Sequence, residues 1–362
     1  MAVHARRRDD IVGALHGAGL AAVVVGPGPD LRYLAAYEAP ELERPTLLVV
    51  PVEGSPVLVV PRLEEARARS DAALDGVELR SYGETEDPFA AVVAAVPGSG
   101  DVAVGDRLWS ATTLRLQERL PDRVRVAASV VTGPLRARKD ADELAALREA
   151  AAAIDAVHRR VPALLRPGRS EAEVATDVAA LIREDHEDVA FVIVAAGPNA
   201  ASPHHEPGPR RLEVGDAVVV DIGGTVRGYH SDMTRTYHLG PPPPGTAAAH
   251  AALEAAQAAG VAAVRPGATA EQVDRAAREV MERAGLGEAF LHRTGHGIGL
   301  EVHESPWIVA GDRTVLAPGM TFSVEPGYYL EGRTGARIED IVAVTEDGVE
   351  VLNREPRGLV VV

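Results

Sequence analysis

Four carboxylates and a histidine are spaced so that they could hold metal. They are Asp221 and Asp232 in GDAVVVDIGGTVRGYHSDMTRTYH, Glu325 and Glu339 in MTFSVEPGYYLEGRTGARIEDIVAV, and His296 in HRTGHGIGLEVHESP. The run AVVVDI reads as a buried strand, Gly223-Gly224 as a turn and TVRGYHSDMTRTYHL as a second strand, a hairpin that puts Asp221 at the end of a buried strand. Burying an unpaired carboxylate costs several kcal/mol or forces its pKa upward, so such a group has a hydrogen-bond network, an arginine or a metal as partner. For Asp221 alone, capping the turn is an equally good reading. Asp232 is harder to dismiss, because the period of two places Asp232, Thr234 and Thr236 on one face, a polar stripe where a core stripe belongs.

His296 lies between Gly295, Gly297 and Gly299, which clear side chains away and permit close backbone approach. His303 follows in the same segment, a candidate for stabilising a transition state. His292 reads as a satisfied core or surface residue. In GPNAASPHHEPG, His204 and His205 sit on a segment too irregular for a core, the kind of loop that carries function over a rigid scaffold. Cysteine is absent, so any metal is held by His, Asp or Glu. Four carboxylates and one imidazole suit two five- or six-coordinate ions bridged by carboxylates and a hydroxide. Such a pair, ~3.5 to 4 Å apart, activates water and polarises a carbonyl. Manganese or cobalt fits this oxygen-rich set better than tetrahedral zinc, although affinity order favours zinc.

An internal repeat positions these acids. An alanine-rich helix, DELAALREAAAAIDAVHRRVPALL, leads into Arg166-Pro-Gly and a capped helix; AAAHAALEAAQAAGVAAV then leads into Arg265-Pro-Gly and another. Ser170/Glu173 and Thr269/Gln272 are capping boxes. Each half continues into strand-rich sequence with two of the acids, so two units about a pseudo-twofold axis would bring four carboxylates together. Like charges at contact distance raise one another's pKa unless cations intervene, and divalent metal is the simplest such cation.

From Leu20 to about Val131, strands AAVVV, TLLVV, PVLVV and DVAVG alternate with helical patterns such as LEEARARSDAAL and SATTLRLQERL, which defines an α/β domain. It has no glycine-rich phosphate loop and no paired acids, and reads as a structural or oligomerisation domain. The boundary falls where TGPLRARKDADE changes composition, giving domains 1–135 and 136–362. The 37 Lys and Arg against 53 Asp and Glu leave a net charge of −16, which argues against nucleic acid or an anionic membrane as partner. The opening ARRRDDIVGALHGAGLAAVVVG reads as a helix and strand rather than a signal peptide. No apolar run reaches the ~20 residues a membrane span requires.

The set Asp221, Asp232, His296, Glu325 and Glu339, in the contexts VDIG, SDMTRT, GHGIG, VEPG and RIED, resembles the pita-bread metallopeptidases: methionine aminopeptidases, aminopeptidases P and prolidases. The resemblance implies an α+β pita-bread C-terminal domain with a pseudo-twofold internal repeat, behind an α/β N-terminal domain like that of the prolidase and aminopeptidase P branch. By this resemblance Asp221 chelates one metal, Asp232 and Glu339 bridge, and His296 and Glu325 complete the other. Glu325 is then also the general base, and His204 and His303 stabilise the tetrahedral intermediate and leaving group. Arg337 matches an arginine kept beside the ligands, whereas His205 is one residue off the family position. The implied substrate is a short peptide with proline second, cleaved at the Xaa-Pro bond by a hydroxide bridging two divalent ions, Mn2+ with Co2+ or Zn2+ as alternatives. A cytoplasmic homodimer is the implied setting.

One departure bears on substrate choice. Small prolidases that resemble this chain have an arginine just after His-Glu-x-Pro, and here that place is Trp307. Either Arg313 or Arg333 replaces that cation, or longer peptides are accepted and Trp307 forms an apolar wall against the proline ring. Xaa-Pro dipeptidase and aminopeptidase P therefore both stand. A creatinase-like C–N hydrolase and a non-catalytic binding module share the fold but do not keep all five ligands, and this chain does.

Overall fold

The computed structural model describes residues 3–362. Two compact units are present, the first ending at Arg136 and the second spanning Ala137–Val362.

The first unit contains α1 (Val3–Ala18), β1 (Leu20–Val25), α2 (Pro29–Ala35), β2 (Leu47–Pro51), β3 (Val57–Pro61), α3 (Glu65–Asp71), β4 (Glu78–Tyr82), α4 (Pro88–Ala95), β5 (Asp101–Val104), α5 (Ser110–Arg119), β6 (Val124–Ala127) and α6 (Ser129–Ala137). Its sheet runs β4-β3-β2-β1-β5-β6. The central strands β1, β2 and β3 are buried along their whole length, which is why they read as continuous apolar runs. The edge strands β4 (ELRSY) and β6 (VRVA) carry arginine and glutamate on their exposed positions and were not legible as strands. The glycine- and proline-containing TGPLRA segment, where the composition placed the domain boundary, is the end of helix α6, with Pro134 inside.

The second unit is a duplicated helix-helix-sheet plan. Its first half has α7 (Ala141–Arg160), α8 (Glu171–Asp185), β7 (Asp188–Ala196), β8 (Ala217–Val226), β9 (Tyr229–His230) and β10 (Met233–His238). The second half has α9 (Thr246–Ala263), α10 (Ala270–Arg283), β11 (Gly295–Gly297), β12 (Glu304–Ile308), β13 (Thr321–Val324), β14 (Gly327–Leu330), β15 (Thr334–Arg337), β16 (Asp340–Val344) and β17 (Val349–Val351), and β18 (Val360–Val361) returns to pair with β10. One sheet has the order β18-β10-β8-β7, the other β12-β11-β13-β16-β17.

The repeat holds down to single hydrogen bonds. Gly168 N donates to Leu212 O and Leu212 N to Arg169 O; Gly267 N donates to Leu316 O and Leu316 N to Ala268 O. Ser170 bridges to Arg211 as Thr269 bridges to Val315. In the first capped helix Glu173 N donates to Ser170 Oγ at 3.2 Å and Ser170 N to Glu173 Oε2 at 2.7 Å. In the second, Thr269 N donates to Gln272 Oε1 at 3.0 Å. Each half has its own core, Val218, Val220 and Ile222 against α7 and α8, and Phe322, Val324 and Val342 against α10. A fully buried aliphatic side chain contributes roughly 1.5–3 kcal/mol relative to an exposed one, so each sheet is held against its helices independently of the site.

The hairpin carrying Asp221 and Asp232 differs from expectation in its turn. Strand β8 runs straight through Gly223-Gly224, and the turn is at Arg227 (φ 51°) and Gly228 (φ 74°), where Val226 pairs with Tyr229. Gly223 and Gly224 serve packing instead. A Cβ on Gly223 would lie 2.5 Å from the Phe191 ring, and one on Gly224 2.6 Å from the His186 ring. Asp221 is consequently in mid-strand, flanked by Ile193 on β7 and Thr234 on β10.

Candidate metal centre

The two sheets meet where β10 passes the segment between β15 and β16. Glu339 N donates to Thr234 O at 3.1 Å, and Thr236 Oγ1 exchanges hydrogen bonds with the Arg337 backbone, donating to its O at 2.9 Å and accepting from its N at 3.0 Å. The polar face of β10 is thus the seam between the halves. Asp221 on β8 corresponds to Glu325 just after β13, and Asp232 just before β10 to Glu339 just before β16. His296 comes from the short strand β11. A Cβ on Gly295 would collide with the Ser323 carbonyl and one on Gly297 with the Ser305 carbonyl, so glycine on both sides lets β11 press between β12 and β13 and carry His296 inward.

Ligand atoms of Asp221, Asp232 and Glu339 lie within 4.8 Å of one another, as do those of His296, Glu325 and Glu339, and those of Asp232, His296 and His303. Glu339 belongs to two of these groups, and so do Asp232 and His296. His296 Nε2 is 3.2 Å from Glu325 Oε1 and 3.7 Å from Asp232 Oδ2. Ser323 Oγ accepts from His296 N at 3.0 Å and donates to Glu325 Oε1 at 3.0 Å, tying those two residues together. Thr234 Oγ1 donates to Glu339 Oε2 at 2.7 Å and accepts from Arg337 Nε at 3.0 Å. Arg337 Nη2 donates to Asp221 Oδ2 at 2.6 Å, and Nη1 donates to Tyr329 OH at 2.7 Å.

Electrostatically the cluster is overcharged. Burial, and then the charges of Glu339, Asp221 and Glu325, push the Asp232 carboxyl well above the usual range; burial, Glu325 and Asp221 do the same to Glu339. Burial also works to raise Glu325, but its hydrogen bond to His296 and the charge of that imidazole outweigh it and hold Glu325 at about 2. Asp221 Oδ1 and Glu339 Oε1 are buried with no hydrogen-bond partner. A buried acceptor left unsatisfied costs roughly 1–3 kcal/mol, more when charged. Divalent cations would satisfy both oxygens and relieve the repulsion, so these residues fit such ions, and the carboxylate-rich donor set suits a hard one.

A cavity of about 1000 Å³ opens over the cluster, lined by all five of these residues, by His204, His303 and Arg337, and by Phe191, Ile193, Leu291 and Val302. The His303 ring lies 3.9 Å from that of His296, centroid to centroid. Burial, and then the charges of His296 and Arg293, bring its pKa down to about 4, so His303 is a neutral imidazole at physiological pH. His204 is exposed at the cavity wall. His205 turns away from it: its Nε2 is 2.8 Å from Glu171 Oε2, and the fully buried Glu171 also accepts from Ala196 N, Asn199 Nδ2 and Gly208 N. That carboxylate is the clamp that shapes the His204 loop.

Some contributors escaped the sequence reading. His292 lines the cavity, with Nε2 2.8 Å from Tyr329 OH, and so joins the Tyr329–Arg337–Asp221 chain. Tyr329 alternates with neighbours in a plain strand pattern and gave no sign of this. Trp307 does not line the cavity; it lies beneath Arg293, whose Cζ is 4.4 Å from the Trp307 ring centroid. Neither Arg313 nor Arg333 lines the cavity, whereas Arg293 does.

The duplicated halves, the five converging donors and the cavity above them define a pita-bread hydrolase. Residues 145–346 match metallopeptidase family M24 and residues 7–138 the creatinase/prolidase N-terminal domain. The chain belongs to metallopeptidase family M24, whose members work with divalent metal ions. It is similar to the crystal structure of dipeptidase PepE from Mycobacterium ulcerans, with 51% identity, a TM-score of 0.95 and coverage of 100% of this chain and 98% of that one. It is also similar to prolidase from Thermococcus sibiricus, at 34% identity and a TM-score of 0.93 over 100% of both chains. The Xaa-Pro dipeptidase of Pyrococcus furiosus is 32% identical over 305 residues, 83% of this chain and 85% of that protein. Among the described residues no helix is long and apolar enough to cross a membrane.

Proposed function

We propose that this peptidase is a dinuclear enzyme that hydrolyses the Xaa-Pro bond of short peptides, in which Asp221, Asp232, His296, Glu325 and Glu339 would hold two cations, Asp232 and Glu339 each belonging to two of the donor groups. The observation that carries the proposal is the pair of overlapping donor groups around buried, partnerless oxygens of Asp221 and Glu339. When bound, the cations supply Lewis acidity and an activated water; manganese or cobalt suits the oxygen-rich set. Glu325, steered by Ser323, would take the proton released as water attacks. His303, neutral, and His204 on the opposite loop donate hydrogen bonds to charge developing on the substrate oxygen and leaving nitrogen. Arg337 orients Asp221 through a short charge-assisted bond and is itself braced by Thr234 and Tyr329. Phe191, Ile193 and Val302 offer apolar surface to the proline ring and its neighbour. Relatives named dipeptidase, prolidase and Xaa-Pro dipeptidase support the same substrate class.

The test is an assay of Gly-Pro, Ala-Pro and Ala-Pro-Ala beside Ala-Gly, on chelator-treated enzyme given manganese, cobalt or zinc. Turnover of Ala-Gly alone would remove proline from the reading, and metal-independent turnover would remove the cations.

His303→Ala is expected to lower kcat by ~10² to 10³ with both metals still bound, the loss typical of one transition-state hydrogen-bond donor. Metal analysis beside the kinetics decides the point, since metal lost together with rate would make His303 a ligand.

Chelation should make stability pH-dependent in a defined direction. Asp232 and Glu339 have folded-state pKa values above their unfolded ones, so the cation-free fold holds more protons than the unfolded chain. Their contribution is therefore complete below the ordinary carboxylate pKa of ~4 and is lost as pH rises through the raised values. Glu325, held at about 2, acts oppositely but only below ~4. Manganese displaces the extra protons, so the rise in Tm on adding it should grow from pH 5 to pH 8, with proton release in weak buffer. A pH-independent rise would exclude Asp232 and Glu339 as ligands.

A further inference from the structure

A dipeptide brings a free carboxylate into a cavity already lined by four carboxylates, in a chain of net charge −16. That group needs a cation of its own. Among the described residues two arginines line the cavity. Arg337 is committed to Asp221, Thr234 and Tyr329. Arg293 is half-buried, makes no ion pair with any carboxylate among the described residues, and rests on the face of Trp307.

The local backbone explains why it stays there. Gly295 pairs with Ile308 and His296 with Trp307 across β11 and β12, and Thr294 N donates to Ile308 O at 2.9 Å, so the backbone leading into β11 is fixed beside the strand that carries Trp307. An indole face beneath the planar guanidinium attracts it and restricts its rotamers while leaving the N–H fork free. A fork held in place and unpaired is matched by a planar anion that accepts two parallel hydrogen bonds.

We propose that Arg293, supported by Trp307, binds the C-terminal carboxylate of the substrate and makes this enzyme a dipeptidase rather than an aminopeptidase for longer chains. The inference rests on the Xaa-Pro reading above. Arg293 is a specificity residue that adds no chemistry at the scissile bond, and its removal penalises only substrates that end at the proline.

The experiment compares Ala-Pro with Ala-Pro-amide, which has the same shape without the charge, on metal-loaded wild type, R293Q, R293K and W307L. R293Q is expected to lower kcat/KM for Ala-Pro by ~10- to 100-fold, chiefly through KM, the loss of a charge-assisted carboxylate bond. The amide should change less than about twofold, because it never made that bond. R293K should keep part of the preference for the acid, and W307L should lose part of it. Equal losses on acid and amide, or no loss on either, would overturn the assignment; if R293Q does not fold or bind metal, R293K and W307L decide by the same ratio. A wild type that cleaves Ala-Gly but not Ala-Pro overturns the proline reading instead, and Arg293 is then judged by Ala-Gly against its amide.

Discussion

Asp232→Asn is expected to abolish peptidase activity while the chain stays folded. Asp232 is 3% exposed, and its carboxylate reaches both the Asp221–Glu339 group and His296. An amide of the same shape cannot neutralise two cations, so the proposed pair would lose its shared ligand, and with it several kcal/mol of transition-state stabilisation, ~10³-fold or more in kcat/KM. The fold pays nothing for the change. Asp232 is the group that burial and three neighbouring carboxylates already push toward its protonated form. Removing its charge relieves repulsion, so in chelator the variant should unfold at the same temperature as wild type or higher. In manganese the order should reverse, because only wild type gains stabilisation from tight binding. Two metals bound per chain and retained turnover in the variant would defeat the ligand assignment. A lower Tm in chelator would show that Asp232 is a structural residue.

How much of this was legible in the sequence depended on whether a residue's role was local. Asp221, Asp232, His296, Glu325 and Glu339 each stand in a short segment whose neighbours exist to present them: glycines around His296, alternating threonines after Asp232. The repeat was legible because capped helices announce themselves through Ser170/Glu173 and Thr269/Gln272. The turn after Asp221 was misplaced because glycine has two uses, and at Gly223 and Gly224 close packing against Phe191 and His186 is the one that applies. The composition change around Pro134 marked the place where the two units divide but not the helix α6 that carries the chain up to it. Arg293 and Tyr329 act on residues distant in the chain or on bound substrate, and no local pattern marks a side chain whose partner arrives from another strand.

Asp340→Ala is expected to destabilise the second unit by ~3–5 kcal/mol, the cost of leaving a buried guanidinium without its carboxylate. Asp340 is fully buried at the start of β16. Oδ1 accepts from Arg235 Nη2 at 2.7 Å, and Oδ2 accepts from Gln257 Nε2 at 2.8 Å and from Arg357 Nε. Arg235 is 4% exposed and points every remaining donor at backbone: Thr234 O at 2.9 Å, Glu339 O at 2.7 Å, Glu355 O at 2.7 Å and Pro356 O at 2.9 Å. This ion pair therefore fastens β10 of the first half to β16 of the second, one residue away from Glu339. Breaking it should loosen the seam that brings the two halves' carboxylates together, so metal affinity should fall along with stability. Urea unfolding in chelator isolates the structural cost from the loss of metal. The double variant Arg235→Met/Asp340→Leu separates the pair from the site: removing both charges should recover part of the stability, because the buried guanidinium goes with its carboxylate, while Gln257 and the half-buried Arg357 still lose their acceptor. Metal affinity should stay low, since the hydrogen bond from Arg235 that fixes the Glu339 carbonyl is gone. A single-variant loss below about 1 kcal/mol would mean that solvent reaches the Arg235 guanidinium and replaces the carboxylate, and the seam would then be held by β10 backbone contacts alone.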